Sequence, residues 1–341
     1  MVVADIVLGC SFGDEGKGKV VYNLLKKDGY DLCVRFNGSG NAGHTVYDNG
    51  QKYVVHQLPV GILMPKVYNL ISSDSLVDIN RLKKEINEIR SKGIEIEGRL
   101  FMSKACHIIT TDCINYDKAN NKIGTTGSGI GPTYSQKMLR VGKRVEDYAE
   151  EIAALGIKIV DMRKFWFSDF VNENIKKVLL EGAQGFELDI NWTNNYPYCT
   201  SSTCTLGGAI NTGISIHNIR NIYGISKAYD TYVGTMQFQP EEYAEDLNKI
   251  AEHGKEYGTT TERKRQCNYL NIDNLIESLK INSCTTCIIN KVDILEDLNI
   301  FKLYSDGVLK EFENMDEMKA FLRNKLSFLK EIVFSSNPVS I

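Results

Sequence analysis

Short apolar runs alternate with helix-patterned stretches along the length of this chain, and that alternation confines it to an α/β architecture. Asp5-Ile-Val-Leu-Gly-Cys10 reads as a first strand that breaks into a glycine-rich turn. Leu76, Ile79, Leu82, Ile86 and Ile89 recur at spacings of three and four, the mark of an amphipathic helix. Further strands are predicted at 31–36, 53–58, 178–181, 222–233 and 286–292, and helices at 241–253, 273–280 and 315–330. Prolines number only six, and there is no internal repeat or linker-like tract. A single domain over 1–341 is therefore expected, with a mainly parallel central sheet flanked by helices.

Composition narrows the function classes. Charged residues make up 24% of the 341 and the formal net charge is −3, so the basic excess of a general nucleic-acid binder is missing. No apolar run reaches the ~18 residues needed to span a bilayer. Asp5 interrupts the opening apolar run and no basic segment precedes it, so no secretory signal is read and the cytoplasm is the expected location. Nine cysteines, an odd number, fit reduced thiols there. Cys284 and Cys287 have metal-ligand spacing, but no second pair follows them and the stretch reads as a buried strand.

The first strand runs into Gly13-Asp14-Glu15-Gly16-Lys17-Gly18-Lys19. Three glycines in six residues let backbone N–H groups converge on a phosphate, and a following helix would add its positive end. A Walker A loop would need glycine where Ser11 stands and Ser or Thr where Gly18 stands. A tight solvated turn is the alternative. A second segment, Gly38-Ser39-Gly40-Asn41-Ala42-Gly43-His44-Thr45, joins close-approach glycines to an amide, an imidazole and a hydroxyl. A third, Gly124-Thr125-Thr126-Gly127-Ser128-Gly129, is again rich in hydroxyls and glycine. Together the three predict a ligand carrying several phosphates. Glu181-Gly182-Ala183-Gln184-Gly185 follows another predicted strand. The stretch Thr259-Thr260-Thr261-Glu262-Arg263-Lys264-Arg265 suits either a solvated turn or a small carboxylate, which a guanidinium grips bidentately. Asn290-Lys291-Val292-Asp293 has the form by which many GTPases hold guanine, and it ends a predicted strand.

Taken in order along the chain, these segments resemble the motif set of the adenylosuccinate synthetase family. In length the chain resembles the short archaeal and phage branch, above all the phage members that aminate dGMP. The resemblance implies a ligase joining L-aspartate to C6 of dGMP, driven by a nucleoside triphosphate through a 6-phosphoryl intermediate. It also implies roles. Asp14 matches the base that takes the proton from purine N1 and, with the Gly43 carbonyl, ligates Mg²⁺. Lys17 and His44 match groups on the transferring phosphoryl, and Gln184 the side chain holding purine O6. Gly13, Glu15, Gly16, Gly18, Thr45, Asn290, Lys291 and Asp293 match the triphosphate site. Asn41, Thr126 and Thr200 match binders of the 5′-phosphate, and Val233 and Arg263 fall at ribose contacts. Thr260, Thr261, Arg263 and Arg265 match the aspartate site. Arg140 matches an arginine that reaches the nucleotide of the neighbouring subunit in a homodimer.

Departures from the family pattern set the finer expectations. Ser11-Phe12 replaces the usual Gln-Trp, and the smaller Ser11 could make room and offer a hydroxyl for the 2-amino group of guanine. Asn337-Pro338-Val339-Ser340 replaces a Gly-Pro-Asp-Arg segment beside the donor base, so ATP or dATP is expected as donor, with GTP the alternative. Two rival functions stand beside the main one. The first is an adenylosuccinate synthetase acting on IMP with GTP; the second is a non-catalytic guanine-nucleotide switch, which would leave 261–265 without a use.

Overall fold

The computed structural model describes residues 2–258, 263–337 and 339–340. One sheet of nine strands runs through it: β1 Val3–Gly9, β2 Leu32–Arg35, β3 Tyr68–Ile71, β4 Leu100–Ser103, β5 Lys158–Val160, β6 Lys177–Glu181, β7 Ile219–Lys227, β8 Thr286–Asn290 and β9 Glu331–Ser335. The spatial order is β9-β8-β7-β1-β6-β2-β3-β4-β5, and every neighbouring pair is parallel. Parallel pairing needs crossovers, and these put helices on both faces, so the strands must be apolar on both sides. β1 shows this directly. Val7 packs into one core with Val20, Leu24 and Leu25 of α1 (Lys17–Asp28) and Leu82 and Ile86 of α2 (Ile79–Ser91). Ala4, Ile6 and Leu8 enter a second core on the other face with Phe165 and Val171. A third core holds the helices Ala244–His253, Ile272–Ile281 and Met315–Lys325.

Several predicted elements need correction. The amphipathic pattern from Leu76 enters its helix only at Ile79, because Asp78 caps the end by accepting the Arg81 N–H at 3.0 Å. The run 53–58 is not in the central sheet: Gln51–Val55 pairs antiparallel with His44–Asp48 as a separate hairpin. The predicted strand 222–233 is two strands. After Lys227 the chain leaves β7, and Tyr229–Tyr232 joins a smaller sheet beside Gln266–Asn271. The helix predicted to Lys330 stops at Lys325. Cys287 lies inside β8 and Cys284 just ahead of it. No helix among the described residues is long and apolar enough to cross a membrane.

The one charge in β1, Asp5, is fully buried. It accepts from the Tyr30 hydroxyl at 2.6 Å, Arg220 Nε at 3.2 Å, and the Asn221 backbone and side-chain N–H groups at 3.0 and 3.1 Å. Since a buried carboxylate is tolerated only when so satisfied, Asp5→Ala strands its donors and should cost about 3 kcal/mol in urea unfolding. A loss below about 1 kcal/mol would show the cluster to be dispensable.

Candidate active site

The carboxyl ends of β2, β6, β1, β7 and β8, five neighbours in the sheet, open into one cavity of about 740 Å³. Their registers step the ends across the sheet: Glu181 faces Arg35, Gly9 faces Ile225 two residues further on, and Lys227 faces Asn290 two further again. Ligands of open parallel sheets bind outside these ends, where loops and helix N-termini gather.

The loop after β1 crosses the floor and starts α1 at Lys17, as the glycine pattern predicts. Asp14 sits in left-handed backbone, φ 58°, on the cavity wall. Glu15 also lines the cavity, but its carboxylate is engaged by the loop itself. It accepts from the Ser11 N–H at 3.2 Å, the Gly13 N–H at 2.8 Å and Lys17 Nζ at 2.5 Å. A Cβ at Gly9 would lie 2.7 Å from that carboxylate and one at Gly185 2.5 Å, which is why both positions lack a side chain. The Asn290 amide donates to the Glu15 carbonyl at 2.7 Å and so stitches the Asn-Lys-x-Asp segment to the glycine loop.

The second loop carries Asn41, Gly43, His44 and Thr45 to the same cavity. Below it stands a pedestal from α2: Arg81 donates to the Gly40 carbonyl at 2.6 Å, and Glu85 accepts the N–H groups of His56, Gln57 and Leu58 at 2.7, 3.0 and 3.2 Å. His44 Nδ1 lies 2.5 Å from Glu181 Oε1, which also takes Arg35 Nη1 at 2.7 Å. Burial, the Arg35 guanidinium and Lys17 push the imidazole down to about 4 against the pull of Glu181. Burial would raise Glu181, but His44, Arg35 and the Val60 N–H outweigh it and hold the carboxyl at about 2.

Gln184 follows β6 in left-handed backbone, φ 58°, and its buried Oε1 has no hydrogen-bond partner among the described residues. Across from it, Arg265 Nη2 meets Asp14 at 2.8 Å while Nη1 bonds Glu256. Glu256 further takes the Tyr229 hydroxyl at 2.6 Å and faces Lys227 Nζ at 3.6 Å. Arg263 Nη1 donates to the Gly124 carbonyl at 3.0 Å, joining the basic loop to the third glycine segment, whose Thr126 lines the cavity beside Val233. Thr260 and Thr261 lie outside the described residues. Lys291, φ 65°, starts the helix Val292–Leu298 and donates to the Gly254 carbonyl at 2.8 Å; Asp293 lies on the cavity wall. Lys19 donates to Ser335 Oγ and the Asn337 carbonyl, both at 2.9 Å, drawing Asn337 and Val339 to the rim.

Three expected residues are not among those lining the cavity. The Ser11 hydroxyl lies buried below the floor, 3.4 Å from Ser226 Oγ. The hydroxyl expected to serve a 2-amino group is thus turned away from the cavity. Thr200 ties its N–H to the Leu188 carbonyl at 2.8 Å. Arg140 lies in a separate cleft of about 420 Å³ with His107, Lys137 and Arg144. Conversely, sequence reasoning missed Arg35, Lys227 and Glu256. Arg35 and Lys227 each put a charge at the last position of a strand, and that was the available signal.

A profile of the adenylosuccinate synthetase family matches residues 6–170 and 154–321. The chain belongs to that family. It is 37% identical to the adenylosuccinate synthetase of Komagataella phaffii over 349 residues, covering 88% of this chain and 81% of that protein. With the Candida albicans enzyme the figures are 36% over 389 residues, 98% and 88%. Among solved structures, the fully ligated adenylosuccinate synthetase of Plasmodium falciparum superposes with a TM-score of 0.84 at 28% identity, covering 99% of this chain and 98% of that one. The succinoaminodeoxyadenylate synthetase of cyanophage S-2L, bound to dGMP and dATP, gives 0.77 at 19%, covering 99% and 93%. That is likeness of fold alone, so the closeness to the phage branch expected from the sequence gives way to a greater similarity to the yeast enzymes. The chain is a carbon–nitrogen ligase of the adenylosuccinate synthetase type, joining aspartate to a purine nucleotide.

Glu256 supports a test of the electrostatics of this ligase. Burial would raise its carboxyl, yet Lys227, Arg265 and Lys291 hold it at about 2. A depressed carboxyl adds stability that is present above its unfolded value of 4.5 and lost as pH falls towards 2. Glu256→Gln leaves Lys227 and Arg265 without that charge and should cost about 3–5 kcal/mol at pH 7. Urea unfolding across the acid range should also show a shallower fall for the variant, part of the slope remaining with Glu181. Equal stability at pH 7 would refute the pairing.

Proposed function

We propose that this ligase joins L-aspartate to C6 of IMP with GTP as phosphoryl donor. The observation that carries this reading is identity of 36–37% over most of the chain with ordinary adenylosuccinate synthetases. Asp293 at the cavity wall supports it, because its carboxylate suits the N1–H and N2–H₂ of guanine. The turn of the Ser11 hydroxyl away from the cavity weakens the local reason for expecting dGMP, and the expectation of ATP or dATP rests on the 337–340 segment and on a resemblance to phage relatives that is one of fold alone.

The chemistry follows from a poor leaving group. The C6 lactam oxygen departs only once phosphorylated, so Asp14 takes N1–H, O6 accepts the γ-phosphoryl group, and the aspartate amine displaces phosphate. Phosphoryl transfer depends on charge cancellation and alignment, the first supplied by Lys17 and the second by His44. Gln184, whose Oε1 has no partner among the described residues, orients the purine, its side-chain NH₂ donating to O6. Arg265 now grips Asp14; a substrate carboxylate competing for that guanidinium releases Asp14 to act. The donor set fits Mg²⁺: one carboxylate, Asp14, and the Gly43 backbone on the same wall, with substrate phosphates as further hard oxygen ligands. When bound, the ion neutralises phosphate charge. Nine free cysteines suit a reducing cytoplasm.

Aspartate-dependent phosphate release separates the alternatives. IMP with GTP should exceed dGMP with ATP by about tenfold or more in kcat/KM, the scale on which a polar contact discriminates. The reverse order would restore the dGMP reading, and nucleotide hydrolysis without ligation would point to a switch. Asp14→Asn should lose about 10²–10⁴ in rate.

The working form we propose is a homodimer sharing Arg140. Met138, Leu139 and Val141 are 70%, 68% and 67% exposed around it, an apolar patch that a second copy would cover. Mixing Arg140→Ala with Lys17→Ala should restore activity, because a hybrid dimer holds one site with both residues. If subunits exchange in a tagged pull-down and no activity returns, the shared site is wrong.

A further inference from the structure

Resting on the ligase reading for its kinetic readout, we propose that Glu181 is the positioning residue for His44: its carboxylate takes the Nδ1–H and so fixes how the ring stands towards the phosphates in the cavity. Glu181 closes β6, fully buried, in register with Arg35 of β2. Each group that meets it is a donor. Oε1 takes His44 Nδ1 and Arg35 Nη1, while Oε2 takes the Val60 N–H at 2.7 Å and the Cys33 thiol at 3.4 Å. Arg35 Nη1 also approaches the ring, 3.0 Å from Nδ1 and 3.4 Å from Nε2, but at 2.5 Å the carboxylate offers Nδ1 only lone pairs, so Nδ1 carries the hydrogen. The tautomer of a histidine is set in this way by the partner of its other nitrogen.

The ring is also held from both sides. Arg35 cannot swing away, because Nε donates to the Asn37 carbonyl at 3.1 Å and Nη2 to the His56 carbonyl at 3.3 Å. On the opposite side α1 packs so closely that a Cβ at Gly18 would lie 2.7 Å from His44 Cβ. The turn that presents Lys17 thus fixes the backbone of His44 as well. Neutralising Arg35 alone would not require the same oxygen to serve the imidazole. That sharing ties the orientation of the ring to the sheet.

Two measurements test this on the full chain. With only five histidines, ¹⁵N-histidine NMR can resolve the rings, His44 being assigned by the signal lost in His44→Gln. A protonated Nδ1 is expected in the free protein; an unprotonated Nδ1 overturns the proposal. In kinetics, Glu181→Gln should lower kcat about 10- to 100-fold with KM for both nucleotides nearly unchanged. A folded variant with wild-type kcat, or one altered only in KM, overturns it too. Should the variant not fold, with Arg35 left buried and unpaired, the wild-type spectrum decides. Absence of aspartate-dependent ligation in the wild type would instead sink the ligase reading, and the tautomer result would still stand.

Discussion

Parallel pairing at the centre of the sheet is the constraint on which everything else depends. Because β2, β6, β1, β7 and β8 all run the same way, their five following loops must emerge on one edge. The register then steps the strand ends: Arg35 and Glu181 are level with Val7 and Tyr223, and Lys227 and Asn290 lie four residues further on. Backbone hydrogen bonds of the sheet, rather than any contact between the loops, define the floor of the cavity. The loops only add curvature: Asp14, Gln184 and Lys291 each take up left-handed backbone directly above it. Such conformations cost about 1–3 kcal/mol each and persist where the surrounding structure enforces them.

On that floor the cations come with their own counter-charges. Lys17 meets Glu15, Arg35 meets Glu181, and Arg265 and Lys227 meet Glu256. Buried pairs of this kind add little net stability, but breaking one is expensive. Under the proposed reaction, their value lies in holding positive groups ready without a ligand, so that an incoming phosphate or carboxylate exchanges partners with a group already in place. Where the carboxylate is an internal brace, as Glu15 is for the Ser11 and Gly13 N–H groups, the loop keeps its shape through that exchange.

How much of this was legible in the sequence depended on range. The glycine loop, Gln184 and Asn290–Asp293 could be read because their chemistry is carried by adjacent residues. The pairing of Arg35 with Glu181 spans 146 positions and could not be. Ser11 was misread for a related reason: its hydroxyl turns to Ser226, 215 positions away, and no local pattern says which way a side chain leaves a turn. The split of 222–233 was hidden because both halves favour strand, and only the level of the sheet edge tells the chain to leave after Lys227. Helix boundaries did better where a cap was present, as at Asp78, once the cap rather than the apolar period was followed.

The place of β1 has a consequence for how the protein is made. This early strand lies in the middle of the sheet, hydrogen-bonded on one side to residues 177–181 and on the other to 219–225. At about 5–20 residues per second, a ribosome takes roughly ten to thirty seconds to deliver the nearer of those partners. Until then Val-Ala-Asp-Ile-Val-Leu-Gly is an apolar strand with both edges unpaired, the kind of segment that associates with copies of itself. Asp5, at its centre, cannot yet meet Arg220 or Asn221 and leaves a lone charge there in the nascent chain. The same carboxylate that later anchors the finished sheet thus acts beforehand as a gatekeeper against aggregation during synthesis.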